Sequence, residues 1–531
     1  MLSEAPCSSG QWTSNARWQQ GRSSPSTSCH KSRVCIFKLW CQVEYLSLPA
    51  DDGNFWRILL SYVCEGSVFL SDVVLSSFAL CHTIHVRPCV RNVQIVPCNI
   101  GNPHACLQVP LSFHREVLSL CISPTLATDH PHAFKKDVVE RAKHYAAGLT
   151  GGVGAYTNSQ GIPAVREEIA EFIAKRDGHP ARADRIYLTN GASEGVRILL
   201  TCLLRSGKQD GLLTPIPQYP LYSASLTLLG GALVPYHLNE GASWGVEMEN
   251  LRQTLAAARA DGTEVRGIAV INPGNPTGNI LAEEQIKDII QMAVDEKMVV
   301  LADEVYQANI WKKGASFSSF KKVACDMGYT GEDGDERLQL VSFHSTSKGY
   351  FGECGLRGGY MEVHGIGAEV RAELYKLSSL SLCSNTIGQL ATGIMINPPK
   401  PGDPSFETFE KERDDILSSL ERRSIMVHKA LNELEGITCN EADGALYAFP
   451  RIRLSNKAKQ AAEGKGVPAD EYYCLKILDQ SGIVLVPGSG FGQEEGTLHF
   501  RTTFLPAEET MHETLKMMAK AHEKFMDEHR D

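Results

Sequence analysis

Two uninterrupted apolar runs constrain the fold of this chain more than any other feature of its sequence. Gly267–Asn272 reads GIAVIN, Met298–Ala302 reads MVVLA, and Ala282–Ala293 between them has helical spacing. An unbroken apolar run predicts a strand that is buried on both faces, as in a parallel sheet with helices on either side. The order strand, helix, strand therefore predicts an α/β fold with a mainly parallel sheet.

Other segments extend this alternation and divide the chain. A helix is predicted around Val196–Leu204, a linker at Pro398–Pro404 and a long charged helix over Phe406–Leu434. Further strands are predicted at Arg185–Thr189, Gly211–Thr214, Leu338–Phe343 and Gly358–Val363. We expect four parts: a poorly ordered extension over 1–92, the first part of a small domain and a linker over 93–150, a large domain over 151–400, and the C-terminal part of the small α+β domain over 401–531.

Length, charge and cysteine spacing exclude several classes of protein. A chain of 531 residues is too long for one ordinary core and suits two or three domains. Its formal net charge of −10 argues against a non-specific nucleic-acid binder, which would be basic. The longest apolar candidate, Ser67 to Val86, is interrupted by polar residues, so no membrane-spanning helix is expected. None of the 16 cysteines forms a C-x-x-C pair, so we expect free thiols and no metal site.

The first residues differ from the rest in composition. Residues 1–43 hold nine serines, five Lys or Arg residues and one acid, Glu4. This composition is typical of a mitochondrial transit peptide, although Pro25 and Gly/Ser clusters interrupt an amphipathic period. Two alternatives stay open: an extension without a targeting role, and a stretch that the natural product lacks. The chain ends Glu528-His529-Arg530-Asp531, unlike a peroxisomal Ser-Lys-Leu signal. We expect a cytoplasmic location, with the mitochondrion as the alternative.

Five polar clusters lie at the ends of predicted strands, where open α/β sheets place their binding sites. At Thr189–Gly195, backbone N–H groups and Ser193 can hold a phosphate; the alternative is a plain glycine turn with an N-cap. Asn272–Gly278 presents asparagine amides from a loop fixed by prolines and glycines; the alternative is a structural turn. Asp303 follows the MVVLA strand, where a buried acid needs a cationic or N–H partner, and Tyr306 lies close enough to serve the same ligand.

The other two clusters contain cations. Small residues flank Lys348, which favours a desolvated amine with a lowered pKa, as Schiff-base chemistry needs; a solvated surface amine is the alternative. Arg357 suits a phosphate. Arg501, between Phe500 and Phe504, suits a carboxylate, and a stacked structural arginine is the alternative. A phosphate cradle, an acid for a ring nitrogen, an amine and a carboxylate clamp are together the parts that a pyridoxal phosphate enzyme needs.

Four stretches carry a resemblance to a known family. They are His344–Tyr360 (HSTSKGYFGECGLRGGY), Cys98–His104 (CNIGNPH), Gly154–Tyr156 (GAY) and Gly444–Tyr447 (GALY). On these residues the chain, from about Val93 to its end, resembles the class I aminotransferases of pyridoxal phosphate fold type I and, within them, the alanine aminotransferases. The Gly-Glu-Cys-Gly element between the lysine and the arginine is similar to that branch. Residues 1–92 do not resemble the helical arm that precedes CNIGNPH in the family.

The resemblance implies a fold, a cofactor and site residues. The fold is a large domain with a mainly parallel sheet of the seven-stranded type and a small α+β domain, and the cofactor is pyridoxal 5'-phosphate. Lys348 is the catalytic Schiff-base lysine that moves the proton of the substrate Cα, and Asp303 pairs with the pyridine nitrogen. Arg501 and Asn275 bind the substrate. The other implied cofactor contacts are Ala192, Ser193, Tyr219, Asn275, Tyr306, Ser345 and Arg357, with Tyr156 reaching the phosphate of the neighbouring subunit in a homodimer.

The implied reaction moves the amino group of L-alanine to 2-oxoglutarate, giving pyruvate and L-glutamate by a ping-pong mechanism. A glutamate:glyoxylate aminotransferase of the same branch is the nearest alternative. A carbon–sulfur lyase or a cyclopropane-forming synthase would share Lys348 and Asp303 but need no second amino acceptor. A regulator on this fold would need a DNA-binding module, and residues 1–92 show no helix-turn-helix periodicity. The expected partners are amino acids, 2-oxo acids and a second copy of the chain, with no nucleic acid, membrane or metal.

Overall fold

The computed structural model describes residues 95–531. The predictions about the extension over 1–92, including its order and its targeting role, lie outside the described residues. Within 95–531, no helix combines the length and the apolar character that crossing a membrane requires. The nine cysteines of this part of the chain are free thiols.

Strands and helices alternate through most of the described chain. The strands are β1 (Val96–Pro97), β2 (Ile186–Thr189), β3 (Asp210–Ile216), β4 (Ala232–Asn239), β5 (Gly245–Val246), β6 (Glu264–Ile271), β7 (Val299–Asp303), β8 (Gln339–Ser345), β9 (Gly359–His364), β10 (Ile437–Thr438), β11 (Tyr447–Ala448), β12 (Arg451–Ile452), β13 (Ile483–Val484), β14 (Val486–Pro487) and β15 (Phe500–Thr503). The α-helices are α1 (Ser112–Ile122), α2 (Leu126–Asp129), α3 (Lys136–Ala147), α4 (Pro163–Asp177), α5 (Ala192–Leu203), α6 (Leu221–Leu229), α7 (Met248–Ala260), α8 (Glu283–Asp295), α9 (Phe320–Asp326), α10 (Ala368–Ser379), α11 (Thr386–Ile396), α12 (Phe406–Asn432), α13 (Asn456–Glu463), α14 (Ala469–Ser481) and α15 (Glu508–Glu528).

The largest sheet has eight strands in the order β2-β9-β8-β7-β6-β3-β4-β5. The five strands from β8 to β4 are parallel to their neighbours, whereas β9 is antiparallel to β2 and β8, and β5 is antiparallel to β4. The predicted α/β class with a mainly parallel sheet is therefore confirmed. The sheet has one strand more than the seven-stranded type, because the two-residue β5 pairs with the end of β4.

Both faces of this sheet are buried, as the apolar runs predict. In β7, Val300 and Ala302 join the hydrophobic cluster that contains α7, α8 and α9, whereas Val299 and Leu301 join the cluster on the opposite face with α5, α6 and α10. Successive strand residues point to opposite faces, so a strand between two helical layers must be apolar at every position.

Several predicted boundaries differ from the structure, and two of these differences have a clear local cause. The strand predicted at Arg185–Thr189 begins at Ile186, because Ala183–Arg185 forms a 3₁₀ turn. The helix predicted around Val196–Leu204 begins at Ala192, directly after Gly191, whose φ of +82° allows the chain to turn from strand to helix. The first turn of α5 is polar, so apolar spacing did not predict where the helix begins.

The C-terminal part of the chain packs around small sheets. Strands β11, β15 and β14 form an antiparallel sheet, and its core contains Leu420 of α12, Tyr473 of α14 and Phe525 of α15. Strand β1 pairs in parallel with β13, and the Cys98 carbonyl accepts a hydrogen bond from the Thr503 N–H at 2.9 Å. The segment that follows β1 is thereby fixed beside β15, although the two are far apart in sequence.

Helices between β1 and β2 form another core. Val117 of α1 and Tyr145 of α3 are buried with Ile169 of α4 and Leu390 of α11. Residues 112–147 thus pack on helices that flank the large sheet, while 96–98 pair with C-terminal strands. The division into domains at 150 and 400 stays a prediction.

Candidate active site

One edge of the large sheet collects most of the predicted site residues. Asp303 is the last residue of β7 and Ser345 the last of β8, and the loop after β6 contains Asn275. Because β9 runs antiparallel, its start lies at the same edge, where Gly359 pairs with Ser345 on one side and Thr189 on the other. Arg357 precedes β9 and Ser193 lies in the first turn of α5 after β2. The parallel order of the strands thus brings these positions to one edge.

The Lys348 side chain lies at the centre of the site. Its Nζ donates a hydrogen bond to the Gly101 carbonyl at 2.7 Å and lies 5.6 Å from the centre of the Tyr306 ring. Buried Asn309 fixes the lysine loop, because its Oδ1 accepts from the Gly349 N–H at 2.9 Å. The lysine is therefore an interior side chain on a fixed loop and not a solvated surface amine.

The pKa of Lys348 differs from the sequence expectation. Burial lowers the pKa of this amine, but Tyr447, Cys354 and Tyr219 raise it more, and Arg501 opposes them only in part. The net pKa is raised, so the lowered value predicted from the small flanking residues is wrong for the chain without ligands. The sequence showed the small neighbours but not the hydroxyl and thiol groups that fold around the amine.

Asp303 is a buried acid with an unused oxygen. Its Oδ2 accepts a hydrogen bond from the Tyr222 hydroxyl at 3.3 Å, while its Oδ1 is buried without a partner. Burial raises its pKa to about 6, against the opposing effects of Tyr222, the Val305 N–H and Lys348. The carboxyl is therefore mainly ionised at pH 7, and its free oxygen needs a cationic or N–H group.

A small cradle lies beside this acid, at the start of α5. Arg357 donates from Nη2 to the Asn190 carbonyl at 2.7 Å and from Nη1 to the Cys354 carbonyl at 2.9 Å. A Cβ on Gly191 would lie 2.6 Å from Arg357 Nη2, so only glycine admits the guanidinium here. The Ser345 hydroxyl donates to the Gly358 carbonyl at 3.2 Å. With Ala192 and Ser193 in the first turn of α5, this group supplies a cation and helix N–H groups, which suit a phosphate.

Arg501 of β15 faces the site from the C-terminal part of the chain. It donates from Nη1 to Asn275 Oδ1 at 3.1 Å and from Nη2 to the Asn99 carbonyl at 2.5 Å. Its guanidinium carbon lies 4.3 Å from the centre of the Tyr447 ring and 4.7 Å from that of Phe491. The buried Nε has no protein partner, so the guanidinium keeps a donor for a ligand.

Two tyrosines link the lysine and the arginine. The Tyr306 hydroxyl donates to the Tyr447 hydroxyl at 3.1 Å, and both side chains are buried. The Tyr447 hydroxyl also lies beside Lys348 Nζ, since a Cβ on Gly101 would lie 1.8 Å from the hydroxyl oxygen and 2.9 Å from Nζ. Tyr447 is part of the GALY stretch but was not among the predicted site residues. A tyrosine at the start of a two-residue strand carries no chemical signal in sequence until its neighbours are known.

Two predicted residues are exposed. The Tyr219 side chain, just before α6, is 41% exposed, which leaves a ring surface accessible to a ligand. The Tyr156 side chain is 78% exposed, in contrast to the buried group around Lys348 and Arg501. The implied reach of Tyr156 into a neighbouring subunit stays a prediction.

Other residues that support the site were not predicted. The Tyr222 hydroxyl contacts Asp303. The Gly101 carbonyl accepts a hydrogen bond from Lys348, and the Asn99 carbonyl accepts one from Arg501. Glu353 is buried and accepts two hydrogen bonds from Arg115, at 2.8 and 2.9 Å. The available signal was the CNIGNPH stretch and the GECG element, but backbone contacts and second partners cannot be read from spacing.

The residues present fit pyridoxal phosphate. The free oxygen of Asp303 suits a protonated ring nitrogen, the cradle around Gly191 suits a phosphate, and the partly buried amine of Lys348 suits the carbonyl carbon. The free Nε of Arg501 suits a substrate carboxylate. Among the His, Cys, Asp and Glu residues of 95–531, no group of three or more is placed to hold a metal ion.

Comparison with known proteins identifies the family. Residues 116–517 match the family described as aminotransferase class I and II. Glutamate–glyoxylate aminotransferase 2 of Arabidopsis thaliana is 49% identical over 441 residues, covering 82% of this chain and 91% of that protein. Alanine aminotransferase 1, mitochondrial, of the same plant is 50% identical over 441 residues, covering 82% and 80%. The structure of an alanine aminotransferase from Pyrococcus furiosus matches with a TM-score of 0.65 and 25% identity, covering 86% of this chain and 96% of that one. The predicted fold type and its cofactor, pyridoxal phosphate, are confirmed, and this chain belongs to the class I and II aminotransferases.

Proposed function

We propose that the protein transfers the amino group of L-alanine to 2-oxoglutarate, giving pyruvate and L-glutamate. The observation that carries this proposal is the convergence of Lys348, Asp303 and Arg501 on one site, each with an atom left for a ligand or a reacting group. Relatives named alanine aminotransferase, at up to 50% identity, support alanine as the amino donor.

The reaction divides between two parts of this site. Pyridoxal phosphate, when bound, supplies a carbonyl carbon for the amino group and a ring that accepts the electron pair left at the substrate Cα. Asp303 holds a proton on the ring nitrogen, because its carboxylate is buried and its Oδ1 is otherwise unpaired. Ala192, Ser193, Ser345 and Arg357 would bind the phosphate. Tyr306 and Asn275 would hydrogen-bond the ring oxygen, and Tyr219 would stack on the ring.

Lys348 and Arg501 act on the substrate. Arg501 binds the α-carboxylate through its guanidinium, which Asn275 and the Asn99 carbonyl hold in place. Lys348 Nζ then removes and returns the proton of the substrate Cα as a general acid and base. The first oxo acid leaves the clamp and the amino group stays behind until a second 2-oxo acid binds at Arg501, so the kinetics are ping-pong and donor and acceptor compete for the clamp.

A second activity has a specific observation in its favour. A relative named glutamate–glyoxylate aminotransferase 2 is 49% identical, almost the same as the relatives named for alanine. The residues that hold cofactor and α-carboxylate would serve both reactions, because they contact only groups that all these substrates share. The difference must lie in contacts with the substrate side chain.

The test is a matrix of amino donors and acceptors with the purified full-length protein. Alanine and glutamate are each paired with 2-oxoglutarate, pyruvate and glyoxylate, and the products are quantified. We expect the highest kcat/KM for alanine with 2-oxoglutarate. A preference of more than tenfold for glutamate with glyoxylate would favour the second activity, and release of ammonia without an oxo acid would contradict both.

We also propose that the protein is a homodimer. Besides Tyr156, several apolar side chains are largely exposed, including Leu107, Leu380 and Val109. A second copy that covers such side chains would also bring Tyr156 to the partner's phosphate cradle. Light scattering measures the mass. Mixing Lys348→Ala with Tyr156→Phe chains gives a sharper test, since only a hybrid dimer with shared sites contains one intact site and regains activity.

The location of the protein is proposed from its sequence and its relatives. We expected the cytoplasm, and the acid-poor residues 1–43 together with relatives named mitochondrial support the mitochondrial alternative. A fusion of residues 1–92 to a fluorescent protein distinguishes the two. Import into mitochondria supports the alternative, and diffuse fluorescence supports the cytoplasm.

A further inference from the structure

Tyr447 contacts more of the site than any role so far accounts for. Its hydroxyl accepts a hydrogen bond from Tyr306 at 3.1 Å and lies beside the amine of Lys348. A Cβ on Gly101 would lie 1.8 Å from this hydroxyl oxygen and 2.9 Å from Lys348 Nζ, so both groups meet at the same point. The other end of the side chain presents its ring to Arg501, whose guanidinium carbon lies 4.3 Å from the ring centre.

The two ends of Tyr447 have different chemistry. A hydroxyl that already accepts from Tyr306 keeps its own proton for a neutral amine, and its oxygen can accept from a charged one. It therefore has a hydrogen bond to offer Lys348 before and after the amine takes up a proton. The ring face attracts the Arg501 guanidinium by a cation–π interaction, which needs no hydroxyl.

The surroundings fix Tyr447 in this position. Its side chain is buried, its strand β11 pairs with β15, and Tyr447 itself is opposite Thr503, two residues from Arg501. Burial raises its pKa, but Lys348, Arg501 and the hydrogen bond from Tyr306 oppose this effect, and the net pKa is lowered. The position is thus specified by the same sheet that carries the arginine.

We propose that Tyr447 is a positioning residue that fixes the distance between Lys348 and Arg501, with its hydroxyl holding the amine and its ring holding the guanidinium. The inference rests on the proposed function, since it concerns the amine that moves the Cα proton and the cation that binds the carboxylate. The hydroxyl of Tyr447 should therefore affect kcat, and its ring should affect KM.

Two substitutions separate the two ends. Tyr447→Phe removes the hydroxyl and keeps the ring, so kcat should fall about 10- to 100-fold while KM for alanine changes less than about threefold. Tyr447→Leu also removes the ring, so KM should rise at least about fivefold further. The matched control is Tyr145→Phe, because Tyr145 is another buried tyrosine, with its hydroxyl on Glu168 at 2.9 Å. Its kinetic constants should match those of the unchanged protein.

A second measurement does not depend on turnover. The groups that act on Lys348 are Tyr447, Cys354, Tyr219 and Arg501, and Lys348 also acts on Asp303. Lysines of the full-length chain without cofactor are ¹³C-methylated, and the Lys348 signal, assigned by its loss in Lys348→Arg, is titrated by NMR. Tyr447→Phe should lower the Lys348 pKa, because Tyr447 raises it. Tyr145→Phe should leave it unchanged.

The outcomes separate this inference from the proposed function. An unchanged Lys348 pKa in Tyr447→Phe, or equal losses of kcat in Tyr447→Phe and Tyr145→Phe, would overturn it. A fall in kcat/KM caused only by KM in Tyr447→Phe would also overturn it. If the unchanged protein does not transaminate alanine, the proposed function fails, while the pKa shift and the kcat and KM split with the true donor still decide on Tyr447.

Discussion

The two halves of the site are built in different ways. The half that would hold the cofactor is made by residues at the ends of neighbouring strands of one sheet, such as Asp303 of β7 and Ser345 of β8. The half that would hold the substrate is made by Arg501 and Tyr447 together with the segment after β1. Arg501 and Asn99, which share a hydrogen bond there, are separated by 402 positions in the chain.

This difference has a physical consequence. Parallel pairing fixes the first half, because moving one strand would break a continuous hydrogen-bonded ladder. The second half depends on isolated hydrogen bonds. Lys348 donates one to the Gly101 carbonyl, and Arg501 donates one to the Asn99 carbonyl. Lys348 must release or share its carbonyl to act on a ligand, whereas Arg501 also has its free Nε to offer. Substitutions in the first half should therefore affect the chemical step. In the second half, removal of the Arg501 guanidinium or of the Tyr447 ring should raise KM, whereas removal of the Tyr447 hydroxyl should lower kcat.

Lys348→Ala should have the largest effect, because the lysine belongs to both halves. It follows strand β8 of the large sheet and contacts the Gly101 carbonyl. Loss of the general base should lower single-turnover transamination by more than about 10³-fold. Cofactor should still bind through the cradle of Arg357 and Ser345, as equilibrium dialysis can measure. Lys516→Ala, an exposed lysine paired with Glu513, is the control. Turnover of Lys348→Ala near the normal rate would refute the assignment.

Asp303→Asn tests the cofactor half alone. The change keeps the shape and removes the charge that would hold a proton on the ring nitrogen. A loss of roughly 3–5 kcal/mol in the proton-abstraction step corresponds to a rate fall of about 10²–10⁴. Stopped-flow measurement of the alanine half-reaction gives the rate, with cofactor affinity expected to change little. Glu304→Gln is the adjacent control. A rate within a few-fold of normal would show that Asp303 is not the partner of the ring.

The same comparison explains what the sequence could predict. The apolar runs Gly267–Asn272 and Met298–Ala302 predicted two central strands, and polar residues at strand ends predicted the cofactor half. Arg501 was also predicted, because an arginine between aromatic residues in a strand often binds a carboxylate. Its neighbours Asn99 and Tyr447 were missed as site residues. Their role arises from the pairing of β1 with β13 and of β11 with β15, which joins distant segments without a local pattern.

Arg501→Ala tests the substrate half alone. The clamp should lose a charge-assisted contact that contributes about 2–3 kcal/mol, so KM for alanine and for 2-oxoglutarate should both rise about 30- to 150-fold. Steady-state kinetics with each substrate varied measures this. Arg422→Ala, at an exposed ion pair with Glu508, should change neither KM. A change in kcat with both KM values unaltered would show that Arg501 does not bind the carboxylate.

Glu353→Gln tests how the segment after β1 is held. The buried Glu353 carboxylate contacts Arg115 at 2.8 Å, and the His104 ring nitrogen lies 3.6 Å away. Arg115 is half exposed, so solvent weakens its ion pair with Glu353. We therefore expect KM to rise only about two- to fivefold, with kcat nearly unchanged. If the contact acts through Arg115, the double variant with Arg115→Gln should be no worse than either single one. Additive effects would separate Glu353 from Arg115.

Glu304→Gln should have the smallest effect on activity. Glu304 is next to Asp303 in sequence, but its carboxyl hydrogen-bonds within the protein interior and contacts none of the site residues named above. Its Oε1 accepts from the Phe320 N–H at 2.8 Å, and burial raises its pKa to about 8, with Arg176 opposing this shift. At pH values between the unfolded pKa of 4.5 and the folded pKa of about 8, Glu304 is protonated in the folded chain and ionised in the unfolded chain. This contribution to stability is therefore present below the lower value and is lost as pH rises through the window. Glutamine keeps the acceptor and does not titrate, so urea midpoints of Glu304→Gln should exceed those of the unchanged protein increasingly from about pH 5 to about pH 8. A difference that does not vary with pH would show that Glu304 is ionised in the folded protein.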